Sequence, residues 1–69
     1  MRNAIIQALE DKYEAEISAA HATINIYLTN SVGIGEHSDL PLEIYKWVDR
    51  LASAEDALLA LERYEDRSE

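Results

Sequence analysis

Apolar side chains recur along the first part of the chain at Ile6, Leu9, Tyr13, Ile17, Ala20, Ile24 and Tyr27, in steps of 3, 4, 4, 3, 4 and 3 residues. A second series, Trp47, Leu51, Ala54, Leu58 and Leu61, advances in steps of 4, 3, 4 and 3, with Tyr64 three residues further on. Steps of three and four keep side chains on one face of an α-helix, whereas a half-buried strand requires alternation. The two consecutive steps of four around Tyr13 interrupt the pattern, which argues against one regular supercoil along the whole length.

The stretch between the two series holds both glycines and the only proline: Gly33, Gly35 and Pro41. The pattern therefore predicts a helix over about 3–29, a connection over about 30–40 and a second helix over about 41–66. Asn3 is the expected N-cap of the first helix, and Asn30 suits its left-handed C-terminal end. Asp39 is the expected cap of the second, with Pro41 in the first turn, where a missing N–H costs nothing; Ser38 is nearly as good a cap. No internal repeat or low-complexity tract is present.

Laid antiparallel, the stripes pair Ile24 with Trp47, Ala20 with Leu51, Ile17 with Ala54 and Tyr13 with Leu58, all with residue numbers summing to 71. Leu9 with Leu61 and Ile6 with Tyr64 sum to 70, a slip at the point where the stripe itself slips. Two of these layers set a large residue against an alanine, as closely packed helices require. The fold class expected is all-α, an antiparallel helical hairpin forming a single domain. Its core and interface are expected at Ile6, Leu9, Tyr13, Ile17, Ile24, Tyr27, Trp47, Leu51, Leu58 and Leu61.

Two helices alone have little interior. Ile5, Ile26, Ile44, Val48 and Leu59 lie beside the main stripes and widen the apolar face. Ala15, Ala19 and Ala22 add a small-residue flank against which a further helix could come close. An apolar face this broad marks a partner, and pairing of two hairpins into a dimeric four-helix bundle is the simplest way to cover it. The competing expectation is that the connection folds back, with Val32, Ile34 and Leu40 as a plug.

Composition narrows the field further. A chain of 69 residues makes one small domain, and with no cysteine it has neither disulfides nor Cys-ligated metal as a brace, which leaves oligomerisation. Fourteen acidic residues against 6 Lys and Arg give a net charge of −8, which argues against direct binding to nucleic acid or an anionic membrane. No apolar run is long enough for a transmembrane helix or a signal peptide, and a cytoplasmic location is expected. Several acids have local partners: Glu43–Lys46, Lys46–Asp49 and Arg63–Asp66 three residues apart, and Lys12–Glu16 four apart.

Candidate chemistry is sparse. Gly33, Gly35, Glu36 and His37 form the most distinctive motif, since paired glycines allow a backbone to approach a phosphate or a partner. No strand precedes them and no helix or lysine follows directly, so the nucleotide-binding contexts are missing. The plainer reading is a connection freed by its glycines and anchored by Ile34. His37, Glu36, Asp39 and His21 have metal-compatible donor atoms, but His21 lies mid-helix, and no metal site is expected. Glu10, Asp11, Glu14 and Glu16 lie on an exposed face without an apolar pocket to raise a pKa, which argues against acid–base chemistry. No motif encloses a serine with either histidine. No catalytic residue, metal or cofactor is expected, and the chain is not expected to be an enzyme. Tyr27, Tyr45 and Trp47 would cluster near the connection and are expected in the core.

The stretch Asn30-Ser31-Val32-Gly33-Ile34-Gly35-Glu36-His37, after the helix end at Tyr27-Leu28, resembles small uncharacterised acidic proteins encoded by marine tailed phages of the cyanophage-like type. Ala52-Ser53-Ala54-Glu55-Asp56 with its Leu-rich continuation is similar to the same group. The resemblance spans most of the chain, which departs from the group at Ser38, where members often carry Pro. It implies a phage origin and carries over no activity and no functional residue. The functional expectation is a non-enzymatic interaction or structural accessory protein acting as a homo-oligomer, with a protein partner. The alternative is an acidic inhibitor or nucleic-acid mimic occupying a basic site on a host nucleic-acid-handling protein.

Overall fold

The computed structural model describes residues 2–29 and 39–67, which form two α-helices, α1 (Arg2–Thr29) and α2 (Leu40–Arg67), each of 28 residues. At 1.5 Å per residue each helix is about 42 Å long. Both ends of each helix fall within one residue of the periodicity's prediction. The connection, with Asn30, Val32, Gly33, Ile34, Gly35, Glu36, His37 and Ser38, lies outside the described residues, and so do the expectations placed on it.

Local chemistry explains the helix ends and the tolerated β-branched residues. Asp39 caps α2 as expected: the Leu42 N–H donates to its carboxylate at 3.2 Å and the Glu43 N–H donates to its carbonyl at 3.0 Å. Glu43 in the first turn and Arg67 in the last both complement the helix dipole. The expected cap at Asn3 is not realised, because the helix begins at Arg2 and Asn3 lies inside the first turn. Arg and Ala are good helix formers, and nothing at Asn3 stops the turn from starting one residue earlier. The Thr23 and Thr29 hydroxyls donate to the carbonyls of Ala19 and Asn25 at 2.8 and 2.7 Å, so neither polar group is left unpaired in α1.

The helices pack against each other as an antiparallel hairpin. Glu10 near the start of α1 sits beside Glu62 and Glu65 near the end of α2, while Glu16 and Ala19 border the same groove as Trp47, Arg50 and Ala54. Glu10 with Glu62 sums to 72 and Glu16 with Ala54 to 70, close to the expected 71. The molecule measures 52 × 17 × 15 Å.

Its interior is minimal. Ala20 at 1% exposure and Ala54 at 3% are the buried residues of the described chain, and no larger side chain is fully buried. Ile6, Tyr13, Ile17, Ile24, Tyr27, Trp47, Leu51, Leu58 and Leu61 line the contact but are only half-buried. Leu40 is half-buried as well.

Two expectations are corrected. Leu9 stands at the exposed edge, at 37%, and half-buried Glu10 takes the inward position between Ile6 and Tyr13. With Glu10 in place of Leu9 the contact line runs through positions 6, 10, 13, 17, 20, 24 and 27 in regular steps of four and three, so the break that the apolar pattern shows at Tyr13 is absent from the contact itself. Tyr45, expected in the core, is 68% exposed. It precedes Trp47 by two residues, or roughly 200° of rotation, which places it on the back of α2. Tyr64 also turns outward, and half-buried Glu65 continues the contact line in its place.

Replacing Asp39 with alanine is expected to lower stability by about 1 kcal/mol, the usual worth of an N-cap carboxylate. Urea unfolding followed by circular dichroism measures it; an unchanged midpoint would show that the cap bonds do not stabilise α2.

Candidate interaction surface

A helix that packs through alanines lets its neighbour come near, and the groove beside that contact is correspondingly shallow. It encloses about 450 Å³ and is lined by Glu16 and Ala19 from α1 and by Trp47, Asp49, Arg50, Ser53 and Ala54 from α2. The Arg50 guanidinium lies over the Trp47 ring at 4.6 Å from its centroid, a cation–π contact that holds the indole as one wall. The lining combines small side chains with two carboxylates and one guanidinium.

Around this groove the apolar surface is large. Ile5 and Ile26 on α1 are each 55% exposed, and Leu28, Leu42, Val48 and Leu59 are exposed too. Ala15, Ala19 and Ala22, the expected flank, all face outward. Of the other residues expected beside the stripes, Ile44 alone is half-buried. The chain exposes 5420 Å² in all. A compact globule of this mass would expose roughly 4,400 Å², about 1,000 Å² less.

Charge is arranged by side. Glu10 lies among Glu14, Asp11, Glu62 and Glu65, and its pKa is raised above the usual carboxylate value, first by partial burial of its stem and then by the negative charge of Glu65, Glu14, Glu62 and Asp11. The sequence places these acids on an exposed face without an apolar pocket to raise a pKa; the pKa of Glu10 is nevertheless raised, in part by charge from the neighbouring helix. The residues responsible include two from α2, which no spacing within α1 could reveal. The Gln7 amide donates to Asp11 at 3.0 Å on the same helix. Of the local ion pairs expected, Lys46–Glu43 closes at 3.7 Å.

The chemistry at hand is that of contact. His21 is exposed on α1 and Asp39 is engaged as a cap. Among the described residues no group of three or more His, Asp or Glu side chains could hold a metal ion. Among the same residues no helix is long and apolar enough to cross a membrane. Gly33, Gly35, Glu36 and His37 lie outside them. Comparison with family models, with curated proteins and with solved structures finds no match for this chain.

The raised pKa of Glu10 means that the folded state binds its proton more tightly than the unfolded chain does. This contribution to stability is present at low pH and is lost as pH rises from the ordinary value of 4.5 through the higher folded-state value. Glu10→Gln, which stays neutral throughout, is therefore expected to melt higher than the parent at pH 7, with the gain shrinking below pH 4.5. Thermal melts across that range decide it; a gain independent of pH would trace the effect to something other than this charge.

Proposed function

We propose that this chain is a non-enzymatic helical interaction or structural accessory protein that acts as a homo-oligomer, two hairpins completing one four-helix bundle in the cytoplasm. The resemblance of its connecting segment to small phage proteins supports a phage origin. The observation that carries the reading is the minimal core: among the described residues no side chain larger than alanine is fully buried, while Ile5, Ile26, Leu28, Val48 and Leu59 stand in solvent. Covering a half-exposed isoleucine contributes about 1 kcal/mol, so a few such residues supply a useful association energy.

A second reading draws on the carboxylates gathered around Glu10, where Glu14, Asp11, Glu62 and Glu65 form an acidic end. It is an acidic modulator that occupies a basic site on a nucleic-acid-handling protein. Binding of that kind weakens steeply with salt, because it is driven by exposed charge. Association through apolar faces is far less sensitive to salt.

Sedimentation equilibrium at micromolar concentration is expected to give twice the 7.8 kDa chain mass, with little change between low and high salt. A species of single-chain mass across that range would overturn the homo-oligomer.

A further inference from the structure

We draw no further inference here: the strongest candidate, the exposed apolar surface of α1 and α2 around the Trp47–Arg50 groove, carries nothing beyond the homo-oligomer reading, because nothing in the structure shows what covers it.

Discussion

Ala20 and Ala54 are wholly enclosed because a methyl group at each of these positions lets the facing helix close over it. Helix axes come to about 8 Å apart where small residues meet, against about 10 Å for larger ones. That approach fixes much else in the molecule. It leaves no space between α1 and α2 for a second layer of large side chains, so Ile17, Ile24, Trp47, Leu51 and Leu58 line the seam from its two sides and remain half-buried. It also brings the outer flanks of the helices near one another, so that Ala19 of α1 and Ser53 of α2 border one groove. A hairpin braced by alanines has a narrow waist and a wide uncovered surface, and both follow from the same two residues.

The apolar side chains of α1 consequently lie on two faces, which an amphipathic surface helix does not require. One face, through Ile6, Tyr13, Ile17, Ala20, Ile24 and Tyr27, meets α2. The other, bounded by Ile5 and Ile26, meets solvent in the single chain. The larger residues serve the contact inside the hairpin and the alanines line the outside.

The elements were legible in the sequence because helix formation is set by neighbours three and four residues away, and those neighbours are visible in the order of residues. The Asp39 cap is equally local and was readable for that reason. What escaped the sequence depends on how the two helices lean on each other. Leu9 and Glu10 exchange inner and outer positions because regular helix geometry, and not the identity of the side chain, sets the contact line there. Tyr45 belonged to an apparent aromatic cluster in the chain, yet two residues of helix separate it from Trp47 by more than half a turn. The rise in the Glu10 pKa draws on Glu62 and Glu65, more than fifty positions away in the chain. The groove, for its part, has no signature in either helix alone: Glu16 and Asp49 become neighbours of one space only once the antiparallel register is set.

The acidity of the chain takes on a more specific meaning in this geometry. A net charge of −8 spread evenly would oppose self-association on every face equally. Instead Glu10 lies among Asp11, Glu14, Glu62 and Glu65, and its pKa is raised first by desolvation and then by their negative charge. Arg50 borders the groove, with Lys46 one turn before it. Charge of this kind works as a constraint on orientation more than as a source of affinity, since exposed ion pairs contribute little individually.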